Sequence, residues 1–344
     1  MVERRVRSGG RGQKGVRFHY SFLKILSGSD LSRHRLPYME ASSLKPGPVV
    51  WLTACGHGDE VGGIVVVQEV FRRLRKRPLS NGELRAFPLM NPLGFEAAAR
   101  LVTISQEDLN RSFPGTPNGT LAERIAAKVF QSIVETSPTI VLDLHNDWIR
   151  SIPYTVLDSV PQGPVSELCR RTATLAAATG FPVVLEQESI RASLSHSLMQ
   201  HGIPALTVEL GESYVVNEKN VELGVRSVFN ILAELGMIEP DDEPFGFPLP
   251  AEVMGKPLRY SNQPLSSTSG ILRFMTRPGA VVRAGQSLAK VVNAFGRHLE
   301  TLTTAHDAFV LGHTDSSVAY PGAPVVALGV LSEKKVSGAS LTRP

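Results

Sequence analysis

Short apolar runs alternate with longer amphipathic segments over about residues 35–236, and this alternation limits the possible folds more than any other feature of the chain. The runs are rich in Val, Ile and Leu, which predicts short strands that are buried on both faces. The longer segments place apolar residues at helical spacing. Strands that alternate with helices form parallel βαβ units, so the sequence predicts an α/β fold with a mixed, mostly parallel sheet and helices on both faces.

The individual elements can be placed along the chain from this pattern. Strands are predicted at residues 49–55, 84–88, 139–144, 182–185 and 205–210, and helices at residues 60–75, 121–134, 166–179 and 220–235. A proline-rich stretch at residues 240–250 follows and is typical of a linker. Beyond residue 257, short β-type runs separated by Gly and Pro predict a small C-terminal all-β domain, built as a sandwich or a barrel.

Three regions are therefore expected: a basic N-terminal extension at residues 1–36, an α/β domain at residues 37–240 and a C-terminal β domain at residues 250–332. The extension contains nine Lys or Arg residues against two acidic ones, whereas the whole chain carries a net charge of only +4. We interpret the extension as a loosely attached tail or an over-extended start of the reading frame. The alternative is a polyanion-binding arm or an Arg-rich targeting peptide.

Composition argues against several classes of partner. Outside its basic start the chain is close to neutral, so no nucleic-acid partner is expected. No stretch of 18 apolar residues is present, so no membrane span is expected, and the basic start lacks the apolar core of a secretory signal. Cys55 and Cys169 are the only cysteines, which does not make a disulfide framework and favours a reducing, cytoplasmic location.

A pair of potential metal ligands follows the strand at residues 49–55. His57 and Glu60 stand in H-x-x-E spacing, which can present an imidazole nitrogen and a carboxylate to one ion. His145 follows the strand at residues 139–144 and could supply a third ligand. Ligands gather at the carboxyl ends of strands in open α/β sheets, so we expect the three side chains to converge. Two His, one Glu and an open fourth position form the ligand set of a catalytic zinc, which predicts one Zn²⁺ per chain.

Each of these motifs has an ordinary explanation when it is taken alone. H-x-x-E spacing often arises by chance at helix starts, and a single His after a strand is more often a hydrogen-bonded structural residue than a ligand. The convergence of separate segments on one edge of the sheet therefore carries the prediction, rather than any one motif.

Glu209 is the candidate catalytic residue because it stands near the carboxyl end of a further strand, at residues 205–210. A carboxylate beside a metal can accept a proton from the metal's water and later return it to a departing amine. A local cap or salt bridge is the ordinary alternative for such a residue. Glu212 and Glu188 compete for the catalytic role, but neither stands at a strand end.

Polar loop residues between the ligands form a candidate substrate-binding group that includes Arg100, Asn110 and Arg111. Loops around a rigid sheet are where binding groups concentrate. A guanidinium beside an amide can hold a carboxylate through parallel hydrogen bonds. Most surface arginines do nothing of the kind, so the pattern alone leaves the roles of Arg100 and Arg111 open.

The order of these motifs resembles the succinylglutamate desuccinylase/aspartoacylase family, a branch of the zinc carboxypeptidase-like fold. The resemblance covers about residues 37–330 and is carried by Gly56-His57-Gly58-Asp59-Glu60, Asn91-Pro92-Leu93-Gly94-Phe95, Asp108-Leu109-Asn110-Arg111-Ser112-Phe113-Pro114-Gly115, Asp143-Leu144-His145 and Val208-Glu209-Leu210-Gly211. It implies a zinc-dependent hydrolase that cuts a small N-acyl amino acid into a carboxylate and a free amino acid, with residues 37–240 as the catalytic domain.

The resemblance also implies a role for each candidate residue. Zinc would be held by His57, Glu60 and His145, and Glu209 would be the general base and acid. The substrate's carboxylate and amide carbonyl would be held by Arg100, Asn110 and Arg111.

One departure from the family pattern concerns the substrate. Aspartoacylases place a Tyr and an Arg shortly before the catalytic Glu, whereas residues 195–202 contain neither. This argues against acetylaspartate and succinylglutamate, and favours another N-acyl compound, such as an acetylated diamino acid from ectoine breakdown. The alternatives are a metallo-carboxypeptidase acting on short peptides and a non-catalytic metal-binding relative. The expected partner is thus a small-molecule substrate, with a homo-oligomer possible.

Overall fold

The computed structural model describes residues 15–27, 33–158, 167–186, 191–256, 258–314 and 316–331. The N-terminal and central strands are β1 (Val16–Ser27), β2 (Arg33–Ser43), β3 (Val49–Ala54), β4 (Glu83–Phe87), β5 (Ile140–His145), β6 (Arg150–Ser151), β7 (Tyr154–Leu157), β8 (Val183–Leu185) and β9 (Ala205–Glu209). The helices are α1 (Gly62–Leu74), α2 (Pro92–Glu96), α3 (Leu121–Val134), α4 (Glu167–Ala178), α5 (Leu194–Gln200) and α6 (Glu218–Glu234), with a short 3-10 turn at Leu109–Arg111.

The C-terminal strands are β10 (Leu258–Ser261), β11 (Gly270–Phe274), β12 (Val281–Val282), β13 (Ser287–Val292), β14 (His298–Thr303), β15 (Ala308–His313), β16 (Val318–Ala319) and β17 (Val326–Leu331). Strands β14, β13, β11 and β16 form a separate four-stranded sheet in that order. Strands β10, β17, β15 and β12 instead extend the main sheet beyond β8.

Parallel pairing is concentrated in the middle of the main sheet. Strand β3 lies between β4 and β5, and β5 lies between β3 and β9, all parallel. Antiparallel pairs flank this centre on both sides. The predicted fold class, an α/β fold with a mixed sheet and a further C-terminal β sheet, is confirmed.

Helices cover both faces of the central strands and enclose two hydrophobic cores. Helices α1, α4 and α6 pack on the first core, and α3 and α5 pack on the second. Side chains alternate between the cores along each strand. On β5, Leu142 and Leu144 enter the first core, whereas Val141 enters the second. Asp143 and His145 therefore lie on the same face as Val141, and the same alternation places Glu209 on that face of β9.

Most of the predicted central elements are present with shifts of one or two residues at their ends. Helix α1 begins at Gly62 rather than at residue 60, so Glu60 lies in the turn between β3 and the helix. Helix α3 has the predicted bounds, and its start is fixed by a capping box in which Thr120 and Glu123 bond each other's backbone N–H groups. The sequence analysis did not identify β1, β2, β7 or α5.

The interpretation of residues 1–36 as a loose tail is wrong for the part that the structure describes. Strand β1 pairs with β2 in antiparallel register, and β2 pairs with β4, so both belong to the main sheet. The strand was missed because its apolar residues divide between the two faces. Val16 and Phe18 pack on the first core, whereas Leu23 and Ile25 pack on the second. Residues 1–14 lie outside the described part of the chain.

The division into domains at residues 36/37 and 240/250 remains a prediction. Two hydrogen-bonded pairs bear on it: β10 pairs in parallel with β8, and β15 pairs with β6, which follows β5 in the chain. Within the described ranges, no helix is both long enough and apolar enough to cross a bilayer.

Replacing Leu36 by Ala should lower the free energy of unfolding by about 2–5 kcal/mol, because this side chain on β2 is only 1 % exposed and fills the second core. Denaturant unfolding would measure the loss. Arg35→Ala, at the exposed neighbouring position, is the control and should change the free energy by no more than about 0.5 kcal/mol. Equal, negligible effects of both variants would show that this segment is not part of the folded core.

Candidate metal centre

The turn after β3 brings His57 and Glu60 to the carboxyl end of the sheet. The backbone leaves the strand through Cys55, which has a positive φ of 54°, and the Cys55 thiol is buried and donates to the His57 carbonyl. A close approach of two loops fixes the turn: a Cβ on Gly58 would lie 2.0 Å from the carbonyl carbon of Gly94. Only glycine fits at this position, which explains why Gly58 follows His57 in the sequence.

Glu60 contacts both imidazoles at once. One carboxylate oxygen lies 2.5 Å from His57 Nδ1, and the other lies 2.8 Å from His145 Nδ1. The backbone N–H of Asn146 donates to the second oxygen. All three side chains are buried, and one potential ligand atom from each lies within 4.8 Å of the others. The three predicted ligands are therefore brought together at one point.

The opposite nitrogen of each imidazole is held by a further carboxylate. His57 Nε2 lies 3.0 Å from Asp108 Oδ1, and His145 Nε2 lies 2.9 Å from Asp143 Oδ2. Asp143 is itself fixed by the Thr53 hydroxyl, which donates to its other oxygen at 2.6 Å. Carboxylates in this position set the ring orientation and tautomer of metal-binding histidines. They direct both Nδ1 atoms to the same point, which a purely structural pair of histidines would not require.

Opposite charges within the centre stabilise one another. Burial alone lowers the pKa of His145, but Asp143 and Glu60 outweigh it and raise that pKa well above its ordinary value. Burial raises the pKa of Glu60, yet the two imidazoles outweigh it and hold the carboxyl group ionised far below its usual range. Two imidazole nitrogens and an ionised carboxylate are the donors that zinc prefers. The residues present therefore fit a Zn²⁺ ion bound by the two Nδ1 atoms and Glu60.

Glu209 lies beside this centre because of the strand register. In the sheet it is paired directly with His145 of β5 on one side and with Tyr154 of β7 on the other. Residues paired in this way project from the same face. Glu209 Oε2 is buried and has no hydrogen-bond partner among the described residues. Burial raises the pKa of Glu209 well above its ordinary value, and the nearby charge of Asp147 adds to the effect.

The competing glutamates differ from Glu209. The Glu212 carboxylate accepts hydrogen bonds from the side-chain amides of Asn217 and Asn220 at the start of α6, so it is committed to that helix. Glu188 lies outside the described residues. The catalytic assignment of Glu209 thus remains a prediction, with strand position and the unpartnered oxygen in its favour.

Arg100 and Arg111 approach the centre from the loops. One Arg100 nitrogen lies 3.2 Å from Asp108 Oδ2, and another lies 3.6 Å from Glu60 Oε1, while 47 % of the side chain remains exposed. Burial alone would raise the pKa of Asp108, but the His57 hydrogen bond and the charges of His57, Arg100 and Arg111 hold it below its usual range. The guanidinium groups of Arg100 and Arg111 therefore both lie near Asp108, which contacts His57.

Asn110 has a structural contact as well as a place in the loop. Its side-chain oxygen accepts a hydrogen bond from the Leu194 backbone at 3.0 Å, which attaches the start of α5 to the loop. Asp108 accepts from the Asn110 backbone and so shapes the same turn. The sequence analysis quoted Asp108 and Asp143 within motifs but gave them no role. The available signal was their spacing: Asp108 stands two residues before Asn110, and Asp143 stands two residues before His145.

The amino-acid sequence of this chain is similar to those of known deacylases. The catalytic-domain pattern of succinylglutamate desuccinylases and aspartoacylases matches residues 46–235. The N-alpha-acetyl-L-2,4-diaminobutyric acid deacetylase of Halomonas elongata is 28 % identical over 287 residues, which cover 79 % of this chain and 79 % of that protein. The succinylglutamate desuccinylase of Shewanella baltica is 25 % identical over 181 residues, or 49 % of this chain and 52 % of that protein.

Solved structures share the fold over nearly the whole chain. The succinylglutamate desuccinylase/aspartoacylase from Rhodobacter sphaeroides superimposes with a TM-score of 0.77 at 22 % identity, covering 97 % of this chain and 99 % of that one. The product-bound ectoine utilization protein from Ruegeria pomeroyi gives a TM-score of 0.75 at 22 % identity, covering 96 % and 98 %. At these identities the likeness establishes the fold alone.

Replacing His145 by Ala should abolish stoichiometric zinc binding, since it removes one of three ligands and leaves Glu60 with a single imidazole. Metal analysis after dialysis would measure the ratio of zinc to protein. His306→Ala, at an exposed position in the C-terminal region, is the matched control. Retention of one zinc per chain by the His145 variant would contradict the ligand assignment.

Replacing Asp143 by Asn should weaken zinc binding by about 10–100-fold while the three ligands remain in place, because the carboxylate that orients the His145 ring is lost. Competition with a chelator of known affinity would measure the change. An unaltered zinc affinity would show that Asp143 does not support the centre.

Proposed function

The chain belongs to the succinylglutamate desuccinylase/aspartoacylase family, and on that basis we propose that it is a zinc-dependent hydrolase that cleaves the amide bond of a small N-acyl amino acid. One observation carries the proposal: a buried His57–Glu60–His145 cluster lies beside Glu209, whose buried Oε2 has no hydrogen-bond partner among the described residues. A non-catalytic binding protein does not require a proton-accepting carboxylate next to its metal, whereas a hydrolase does.

Zinc, when bound by His57, Glu60 and His145, would polarise the scissile carbonyl and acidify a water molecule. The protein's own contribution begins with Glu209, which accepts a proton from the attacking water. The same carboxyl group then gives that proton to the amide nitrogen, so that the amine leaves as a free amino acid. The burial of Glu209, which raises its pKa, suits a group that must hold the proton between these steps.

Substrate orientation falls to the loop residues. Arg111 lies near Asp108, where its planar guanidinium can bind the substrate's carboxylate with two parallel hydrogen bonds. Arg100 lies closer to the ligands, within 3.6 Å of Glu60, and is placed to stabilise negative charge on the carbonyl oxygen. Asn110 supports both by holding their loop against the start of α5.

An N-acetylated diamino acid is the substrate class that the comparisons favour. The Halomonas elongata deacetylase matches over 79 % of both chains, whereas the Shewanella baltica desuccinylase matches over about half. The absence of a Tyr and an Arg from residues 195–202 agrees with this choice, because an acidic acyl amino acid would lose its recognition there.

Replacing Glu209 by Gln should lower kcat on N-acetyl amino acids by about 1000-fold without loss of zinc, since the amide keeps the shape of the side chain but cannot accept the proton. Turnover and metal content would be measured on the same preparation. Glu212→Gln is the matched control, because that carboxylate serves the start of α6, and its kcat should change less than about tenfold.

A panel of N-acetyl amino acids and short peptides tests the reaction itself. We expect the zinc-loaded protein to release acetate from N-acetyl amino acids. Turnover of peptides alone would favour a metallo-carboxypeptidase, and equal, negligible turnover by the wild type and the Glu209 variant would favour a non-catalytic metal-binding protein.

A further inference from the structure

A buried carboxylate that the proposed reaction does not use lies on the same face of the sheet as Glu209. Asp158 directly follows β7 and is 9 % exposed. On β7, Tyr154 is paired with Glu209, and Val156 is paired with Thr207. Alternate residues of a strand share a face, so Asp158 continues the row formed by Tyr154 and Val156. The same row of β9 and β7 thus leads from the reaction centre to Asp158.

Hydroxyl groups connect Asp158 to strand β9 and helix α5. The Thr207 hydroxyl donates to Ser195 Oγ at 3.1 Å, and Ser195 is hydrogen-bonded to Asp158. Ser195 belongs to α5, whose start is attached to the Asn110 loop. The face between Glu209 and Asp158 therefore carries Thr207 and Ser195 on one side and Val156 on the other. Thr207 and Val156 are only half-buried, which leaves room for part of a substrate.

The charge of Asp158 is only partly balanced by its neighbours. Burial raises the pKa of Asp158, the Ser195 hydrogen bond and the His196 side chain oppose this, and Asp143 adds to it. Helix α5, which covers this face, contains no Lys or Arg. A ligand cation would therefore stabilise the ionised carboxylate, whereas an acidic ligand would be repelled.

We propose that Asp158 is a specificity-determining residue that binds the side-chain ammonium group of the N-acyl amino acid substrate. This inference rests on the proposed deacylase function and assigns its substrate class to a particular residue. Arg111 binds the α-carboxylate, and the amide lies between the zinc ligands and Glu209. The ammonium group then points along the sheet face toward Asp158. A substrate without this cation leaves a buried carboxylate unpaired, which costs binding energy.

The spacing suits a short diamino acid. Asp158 is four positions along the strand from the residue paired with Glu209, which corresponds to about 13 Å between Cα positions. The scissile carbonyl and the terminal nitrogen of an extended N-acyl-2,4-diaminobutyrate are about 6 Å apart. A hydrogen-bond distance of about 3 Å at each end brings the total to a similar length.

Two substrates that differ only in the terminal group test the proposal. N-acetyl-2,4-diaminobutyrate ends in an ammonium group, and N-acetylnorvaline ends in a methyl group of similar size. For the zinc-loaded full chain we expect kcat/KM to favour the first by on the order of 100-fold or more. In Asp158→Asn this preference should fall by about 100-fold, because the variant keeps the size of the side chain but not its charge.

Two further variants separate recognition from a structural role. Asp158→Glu keeps the charge and should retain at least part of the preference for the cationic substrate. Asp242→Asn, an exposed position in the linker, should leave the ratio of the two kcat/KM values at its wild-type value. The proposal is overturned if Asp158→Asn lowers both kcat/KM values by the same factor, since that result indicates only a support for α5.

Product binding provides a second readout that does not depend on turnover. Calorimetry on the wild type should show that free 2,4-diaminobutyrate binds at least about tenfold more tightly than norvaline. If neither acetyl compound is hydrolysed but this preference is found, the proposed function fails and the role of Asp158 stands. If both are hydrolysed without preference and the two amino acids bind equally, the function stands and the role of Asp158 is wrong.

Discussion

The contact of one carboxylate with two imidazoles is the interaction on which the rest of the site depends. Glu60 can reach both rings only because β3 and β5 are neighbours in the sheet and end at the same edge. Burying an ionised carboxylate is costly unless it is paired, so the fold must supply both histidines to tolerate Glu60 at all. Asp108 and Asp143 then fix the two rings through their Nε2 atoms. Each loop of the site is shaped to meet this requirement.

Pattern and motif spacing were sufficient to predict the centre of the molecule. Strand β5 is buried on both faces and β9 is buried on one, so their apolar runs were easily recognised, and His145 and Glu209 stand at their ends. The motif residues His57 and Glu60 could be placed at the same edge because parallel strands end together. The assignment of catalytic and substrate-binding roles remains a prediction that rests on this geometry.

The peripheral features were harder to predict for identifiable physical reasons. Strand β1 divides its apolar side chains between two cores and is interrupted by Arg17 and Lys24, so it lacks a clear alternation. Helix α5 is only seven residues long, too short for a helical period to be recognised. Asp158 could not have been connected with Ser195 from sequence, because their proximity depends on how α5 covers β7 and β9.

The two hydrogen-bonded connections between the C-terminal strands and the rest of the main sheet have a consequence for how this protein can evolve. Strand β10 continues the sheet beyond β8, and β15 pairs with the short β6, which begins five residues after His145. An exchange of the C-terminal region for an unrelated module would thus uncover a sheet edge and release the backbone that follows His145. Recombination at the proline-rich linker is disfavoured for that reason, and the two parts of the chain are expected to be inherited together.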